Sequence, residues 1–406
     1  MNNSSWRERR ARIGCGQRKK MHLCCLLAGK RGERGDYRMT DGNEAAHFWV
    51  KRDDLRKTKV VEDLVPGLDT LAAGDVLFKV DEFAFTANNI TYAAFGDAMK
   101  YWNFFPADEG WGRIPVWGFG DVIASKATGV EVGERFYGYF PMSTHFVVQA
   151  ARVSGAGFFD GVAHRADLSP VYNNYLRTSA DEGYVAAREA EQSLLRPLFT
   201  TSWLIDDFLD DNQFFGASSV ILSSASSKTS LGLAQVLANR RGDRPRVIGL
   251  TSARNVAFVK SVGYYDDVVT YEDIAKIDVE GNVAFVDMAG DGDVRAAIHN
   301  HFAERLTCSC AVGGTHWEQG GGADGLPGAR PTLFFAPAQI QKRNKDWGAE
   351  DLQARIAKAW ASFLSSVDGW MKVERDHGLA ATERVYREVL EGKTAPEKGM
   401  IVSLTD

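Results

Sequence analysis

The chain has 406 residues, of which 45% are hydrophobic and 25% are charged, and its formal net charge is −5. This length allows two domains, each with its own core, and the composition is typical of globular proteins. No stretch reaches the roughly 18 consecutive apolar residues that a membrane helix needs, so we expect no membrane partner. Residues 1–38 carry eleven Lys/Arg and three Asp/Glu, so the remaining chain has a net charge of −13. An acidic body argues against a nucleic-acid partner.

The basic leader, residues 1–38, ends just before Met39. Its apolar run, residues 21–28, is short, lies away from the terminus and fits a secretory signal poorly. We interpret the leader as a disordered extension or as the product of an upstream start codon, with an organelle-targeting peptide as the alternative. Three of the five cysteines lie in it, while Cys308 and Cys310 lie in an apolar run that predicts a buried strand. These features favour the cytoplasm.

Residues 45–159 have the pattern of a β-domain, with short apolar runs separated by Gly, Asp and Pro. The segments 75–81 and 136–140 alternate as half-buried strands do, and their spacing predicts a small barrel. Two segments with helical spacing follow, at residues 181–191 and 197–209. We expect these two helices to connect the barrel to an α/β half that begins near Ser218.

The α/β half opens with an apolar strand at 220–222, a cluster of small hydroxyl residues at 223–227 and a helical segment to Leu237. A second strand begins at Val247, 27 residues after Val220, which is about the length of one βαβ unit. Further strands and helices alternate as far as Val312. This order predicts a doubly wound parallel sheet, whose ligands bind at the carboxyl ends of the strands.

The first turn of that sheet lacks the glycines of a dinucleotide-binding motif. Serines and Lys228 stand where G-x-G-x-x-G is expected, and a P-loop is excluded because Leu222 and Ser227 occupy its glycine positions. The second strand ends in Ser252 and Arg254 with no carboxylate, which favours the 2′-phosphate of NADP(H) over the 2′-hydroxyl of NAD. The alternative is a solvated arginine at a helix start.

A dense aromatic patch lies between residues 92 and 117. Aromatic side chains normally form core, and the functional alternative is a flat apolar cleft in which Tyr92, Asn88 and Asn89 are the polar groups. At the end of the last predicted strand, His316 is a candidate proton donor, although a histidine in a surface loop is an equal alternative. Trp317 next to it lines the cleft or packs against neighbours.

Several segments together resemble the zinc-independent medium-chain dehydrogenases/reductases of the quinone oxidoreductase and enoyl reductase types. These are 118–125, 133–138, 256–263, 268–271 and 286–290. Four more, 86–92, 115–119, 139–142 and 313–318, resemble an uncharacterised branch classed only as a domain of unknown function. The resemblance covers about residues 45–404. It implies an α/β fold made of a GroES-like β-barrel and a Rossmann domain with a doubly wound parallel sheet.

The resemblance also implies roles for particular residues. Tyr92 lies where quinone oxidoreductases have a tyrosine near the nicotinamide, and Asn88 or Asn89 lies near their active-site asparagine. The zinc ligands of alcohol dehydrogenases are absent from the sequence, so we expect no metal site. The candidate residues are, for catalysis, Tyr92, Asn89 and His316; for cofactor binding, Ser226, Ser227, Lys228, Thr229, Ser252, Arg254, Ala289, Gly313 and Gly314; and for substrate binding, Asn88, Trp102, Trp117 and Trp317.

These observations predict three segments: the leader, a barrel domain at 39–170 completed by 365–406, and a Rossmann-like domain at 171–364. The predicted function is NADPH-dependent reduction of an activated C=C, quinone or carbonyl group in a small apolar substrate. A non-redox lyase or isomerase and a non-catalytic ligand-binding protein remain alternatives. The apolar segment 333–335 predicts a sheet edge that needs covering, and hence a homodimer.

Overall fold

A computed structural model describes residues 44–242, 244–312 and 325–406. In chain order, its strands are β1 (Glu44–Lys51), β2 (Asp54–Leu64), β3 (Asp75–Phe85), β4 (Trp111–Gly112), β5 (Pro115–Ser125), β6 (Arg135–Pro141), β7 (His145–Ser154), β8 (Gly157–Asp160), β9 (Asn174–Arg177), β10 (Ala217–Leu222), β11 (Arg246–Thr251), β12 (Asp267–Thr270), β13 (Asn282–Asp287), β14 (Leu306–Ala311), β15 (Thr332–Leu333), β16 (Lys372–His377) and β17 (Lys398–Ser403). The α-helices are α1 (Ala87–Ala94), α2 (Glu189–Asp211), α3 (Lys228–Ala238), α4 (Val256–Val262), α5 (Gly292–Phe302), α6 (Ala336–Trp347), α7 (Ala349–Val367) and α8 (Leu379–Leu390).

The first part of the described chain forms a closed antiparallel barrel. Its strands pair in the order β3-β5-β6-β9-β8-β7, and β7 returns to pair with β3. Aromatic rings of Phe78, Phe136, Phe140, Phe158 and Tyr175 fill its interior, where buried rings supply large apolar areas. The last strand of the chain, β17, pairs with β3, with Met400 opposite Phe85.

The second sheet is parallel and has the order β12-β11-β10-β13-β14-β15. This order is that of a dinucleotide-binding doubly wound sheet, in which the first strand lies at the point where the strand order reverses. Its strands are apolar throughout because both faces are covered. On one face α2 and α3 pack against Val220 and Leu222, and on the other α5 packs against Ile221 and Phe285.

The structure therefore confirms the predicted fold class, a β-barrel combined with a doubly wound parallel sheet. The predicted barrel strands at 75–81 and 136–140 lie within β3 and β6. The predicted buried strand that holds Cys308 and Cys310 is β14, and both thiols are buried. Among the described helices, none is both long and apolar enough to cross a bilayer.

The prediction of two separate helices between barrel and sheet was wrong. A single helix, α2, begins only at Glu189 and continues through Pro197. The segment before it is irregular because the Asp181 carboxylate accepts a hydrogen bond from the Gly183 N–H at 3.0 Å and pairs with Arg196. Asp and Gly side by side stabilise a turn more readily than a helix.

Candidate functional site

The turn between β10 and α3 lies at the carboxyl edge of the parallel sheet, where the strand order reverses. The backbone N–H groups of Ser226, Lys228 and Thr229 have no hydrogen-bond acceptor among the described residues. All three lie at the start of α3, whose aligned peptide dipoles favour a negative charge there. This arrangement matches a phosphate-binding turn even without the glycines.

Side chains of the turn are held by neighbouring strand ends. Ser227 is the N-cap of α3 and accepts a hydrogen bond from the Ser230 N–H at 3.3 Å. Ser226 accepts one at 3.0 Å from the side-chain amide of Asn255, which follows β11. The Thr229 hydroxyl has no partner within the part of the chain that the structure describes. Ser226 and Ser227 thus hold the turn in shape with the same hydroxyls that we predicted for phosphate binding.

Ser224 occupies the position of the first expected glycine, and its φ is +50°. This left-handed conformation favours glycine, so serine retains a backbone shape that normally needs no Cβ. The Ser224 N–H donates to the hydroxyl of Tyr271 at 3.0 Å, and the preceding serine is anchored as well. The turn therefore has the glycine-motif conformation, stabilised by side-chain contacts.

A buried polar network beneath the turn was not foreseen from the sequence. The Ser223 hydroxyl donates to the Asp287 carboxylate at 2.9 Å and accepts from the N–H groups of Met288 and Ala289. The same carboxylate pairs with Arg295 at 2.8 Å, and both ionic side chains are almost fully buried. This network fixes the ends of β10 and β13 relative to each other. A strand-end Asp followed eight residues later by Arg was the only signal for it in the sequence.

Lys228 does not direct its ammonium group to the turn, which corrects our prediction. Its Nζ donates to the carbonyl oxygens of Lys398 at 2.9 Å and Pro396 at 3.4 Å, next to β17. Burial lowers the pKa of Lys228 to about 8, while the Glu397 carboxylate acts in the opposite direction. Only the backbone N–H of this residue remains available at the turn.

The end of β11 carries the residues that distinguish the two nicotinamide cofactors. Thr251 is buried, Ser252 follows it, and Arg254 projects into solvent on a short 3-10 turn. No carboxylate of the described chain lies within ion-pair distance of Arg254. The Ser252 hydroxyl is also without a partner there. A cation and a hydroxyl at this strand end suit a phosphate group better than a ribose hydroxyl.

A narrow cleft separates the barrel from α2. Asn88 and Trp117 line its barrel side, and Ser193 and Pro197 line its helix side. Tyr92 lies beside this cleft with only 6% of its surface exposed, and its hydroxyl lies near the side chains of Trp117 and Asn88. Burial raises the pKa of Tyr92 above its usual value, so the phenol stays protonated at neutral pH.

An aromatic cluster packs behind Tyr92. Its ring centroid is 4.5 Å from that of Tyr101, and the Tyr101 and Tyr172 hydroxyls are 3.3 Å apart. The Trp117 indole N–H and the Tyr139 hydroxyl are buried and lack a hydrogen-bond partner in the described chain. The predicted alternatives of core and cleft thus both apply: most rings are core, and Trp117 reaches the cleft.

Two predicted site residues have structural roles instead. Asn89 was expected to act in catalysis, but its side-chain oxygen accepts from the Thr86 N–H at 2.8 Å and its amide donates to the Pro115 carbonyl at 2.9 Å. It completes the capping box of α1. Trp102 was expected to bind substrate, but it is 1% exposed and lies in the barrel core between the backbones of Gly96 and Gly112.

The other candidates have mixed outcomes. Ala289 is exposed at the carboxyl end of β13, but its N–H is already bonded to Ser223. The predicted cofactor residues Gly313 and Gly314, the catalytic candidate His316 and the substrate candidate Trp317 lie outside the described residues. The described residues contain no group of three or more His, Cys, Asp or Glu side chains suited to a metal ion.

A family model described as "Protein of unknown function (DUF2855)" matches residues 83–395, which include the barrel, the cleft and the parallel sheet. The chain belongs to this family. A search of curated proteins found no match. The resemblance predicted from the sequence, to an uncharacterised branch with the medium-chain reductase fold, is confirmed by this match and by the solved structures below.

Solved structures of similar fold are reductases or oxidoreductases by their descriptions. CurA from Vibrio vulnificus has a TM-score of 0.57 at 15% identity, over 90% of this chain and 99% of its own. A mutant enoyl thioester reductase from Candida tropicalis has a TM-score of 0.54 at 12% identity, over 89% and 99%. The yhdH oxidoreductase from Salmonella enterica, solved with NADP, has a TM-score of 0.50 at 16% identity, over 88% and 99%. At these identities the likeness establishes the fold alone.

Proposed function

We propose that the protein is an NADPH-dependent, zinc-independent reductase of an activated C=C, quinone or carbonyl group in a small apolar substrate. The observation that carries the proposal is the end of β11. There, an exposed Arg254 without a described anionic partner stands beside Ser252, in a sheet whose strand order is that of dinucleotide-binding proteins. A cation at this position is the ordinary means of accepting a 2′-phosphate.

The residues present fit this cofactor. The free N–H groups of Ser226, Lys228 and Thr229 would hold the pyrophosphate, and Ser252 and Arg254 would hold the 2′-phosphate. NADPH, when bound, supplies the hydride. CurA has also been solved in complex with NADPH, and the yhdH oxidoreductase with NADP, which supports the same cofactor class here.

The chain's own contribution to the chemistry is a hydrogen-bond donor at the cleft. Because burial keeps Tyr92 protonated, its hydroxyl can donate to an oxygen on which negative charge develops, and it is unsuited to act as a base. Asn88 and Trp117 would orient the substrate, since their side chains line the cleft and lie near that hydroxyl. The proposed zinc independence rests on the absence of alcohol dehydrogenase zinc ligands from the sequence.

The test is the cofactor preference of an Arg254→Gln variant. A charge-assisted hydrogen bond contributes about 1.5–3 kcal/mol, so we expect NADPH to bind about 10- to 150-fold more weakly to the variant. NADH, which lacks the 2′-phosphate, should bind both proteins equally. The measurement is a titration of full-length protein with each cofactor, followed by the blue shift of nicotinamide fluorescence.

Arg241→Gln is the matched control, because Arg241 is exposed, outside the strand ends, and without a described partner. Its affinity for NADPH should equal that of the wild type. Failure of the wild-type protein to bind NADPH would rule out the reductase proposal. Equal loss of NADPH and NADH binding in Arg254→Gln would show that the residue does not contact the 2′-phosphate.

A non-redox enzyme or a non-catalytic binding protein is the second candidate. The observation that favours it is the narrowness of the cleft between the barrel and α2, where Trp117 faces Pro197. The two candidates differ in turnover, since only a reductase consumes NADPH when a quinone or an enone is added. Tight NADPH binding without oxidation by 1,4-benzoquinone or trans-2-hexenal would favour the second candidate.

A further inference from the structure

A second cleft, of about 180 Å³, opens in the wall of the barrel and is separate in its lining from the cleft beside Tyr92. Strand β7 contributes Phe146 and Gln149, and the segment from the end of β8 contributes Asp160 and His164. Phe104 and Arg113 form the rest of the wall that matters here. Nothing in the proposed reductase chemistry uses this cleft.

Arg113 is an incompletely paired cation in this cleft. One of its terminal nitrogens, Nη2, donates to the Pro106 carbonyl at 2.6 Å. Its Nε–H is buried and has no acceptor in the described chain, and no carboxylate there lies within 4.0 Å of the guanidinium. A buried donor without an acceptor costs free energy that a bound ligand can recover.

A second guanidinium makes the site more electropositive. Burial, and then the charge of nearby Arg165, lower the pKa of Arg113 to about 10. Arg165 itself is fully buried, with its guanidinium 4.5 Å from the ring centroid of Phe105. Two cations held close together favour an anion between or beside them.

The acidic groups that line the cleft are already used within the protein. Asp160 forms an ion pair with Arg165 at 2.9 Å and accepts hydrogen bonds from the Gln149 and Val162 N–H groups. Asp75 accepts from the Ala72 N–H at 2.8 Å. With Asp160 committed to Arg165, the charge of Arg113 remains uncompensated.

We propose that this cleft binds the carboxylate of a small organic anion, with Arg113 as the ionic partner and Phe104 and Phe146 as apolar walls. The planar guanidinium with a free Nε–H matches the two oxygens of a carboxylate. The aromatic walls suit an apolar ring or short chain and offer nothing to the hydration shell of free phosphate. The proposal is independent of the reductase function.

The experiment is a calorimetric titration of the full-length protein with benzoate, benzamide and inorganic phosphate. We expect saturable benzoate binding at one site and at least about tenfold weaker binding of benzamide, which has the same ring without the charge. Arg113→Gln should weaken benzoate binding at least about tenfold, and Arg113→Lys should weaken it too because the planar donor edge is lost. NADPH affinity should be unchanged in both variants.

Arg241→Gln is again the matched control and should bind benzoate as the wild type does. Equal binding of benzoate and benzamide, tighter binding of phosphate, or no saturable benzoate binding would overturn the proposal. Unchanged benzoate affinity in a folded Arg113→Gln variant would overturn it as well. If the Arg113 variants do not fold, the comparison of the three ligands on the wild-type protein still decides the question.

Discussion

At the scale of single residues, chemistry at the strand ends was easier to predict than chemistry at the cleft. Ser252 and Arg254 were predicted from their place after an apolar strand, and they do follow β11. Asn89 was assigned to catalysis because the residue type suits it, whereas the structure shows it bonded to Thr86 and Pro115. The pattern Thr86-x-x-Asn89 resembles a capping box and was the sequence signal for the structural role.

Removal of the Tyr92 hydroxyl tests its proposed role as a donor. If the phenol stabilises a developing negative charge, Tyr92→Phe should lower kcat about 10²–10³-fold, because donors of this kind contribute mainly in the transition state. NADPH affinity should change little. The measurement is NADPH consumption with 1,4-benzoquinone at saturating cofactor, together with the fluorescence titration.

Tyr175→Phe is the matched control for that variant. The Tyr175 hydroxyl donates to the Tyr139 carbonyl at 2.7 Å inside the barrel, away from the cleft lining. Its loss should cost about 1 kcal/mol of stability and leave kcat unchanged. A Tyr92→Phe enzyme with wild-type kcat would remove Tyr92 from the mechanism.

At the scale of elements, the connection between α3 and β17 is the feature that the sequence concealed. Lys228 begins α3, yet its ammonium group lies on carbonyl oxygens at the start of β17, 170 residues further along the chain. A lysine next to serines in a phosphate-type turn suggested a ligand contact. Only the fold brings a carbonyl acceptor closer to it than the ligand.

The titration of Lys228 should be visible in the pH dependence of stability. Its pKa falls from an ordinary 10.5 to about 8 in the folded protein, mainly through burial. Between these pH values the unfolded chain binds more protons than the folded one, so the stability contributed by Lys228 rises with pH. The free energy of unfolding of the wild type, minus that of Lys228→Met, should therefore increase between pH 7.5 and pH 10.

We expect an increase on the order of 1 kcal/mol, after allowance for the partial exposure of the side chain. Urea denaturation of both proteins at the two pH values measures it. Lys358→Met, at an exposed position on α7, is the control and should show no such increase. A constant difference between wild type and Lys228→Met would mean that the lysine is not buried in this way.

At the scale of the whole molecule, the exposed edge of the parallel sheet favours a second copy of the chain. The terminal strand β15 has only β14 as a neighbour, and Leu333 and Phe335 are 41% and 62% exposed. Apolar side chains beside an unpaired strand edge promote pairing with another edge. The homodimer expected from the sequence thus stays a prediction with a defined location.

Leu333→Glu tests that location. A charge at the edge should shift the protein from dimer to monomer, which sedimentation velocity detects at micromolar concentration. Val132→Glu, which alters a residue that is 65% exposed in the β5–β6 connection, is the control and should leave the association state unchanged. A wild-type protein that sediments as a monomer throughout would contradict the prediction.

The sequence by itself determined the fold class, because apolar runs with periods of two and 3.6 residues specify strands and helices locally. It also determined which residues follow β10 and β11, since these are fixed by chain position. Only the tertiary structure decided what those residues do. Side-chain partners such as Lys398 for Lys228, or Gly96 and Gly112 for Trp102, are far apart in the chain, and local patterns carry no information on such pairs.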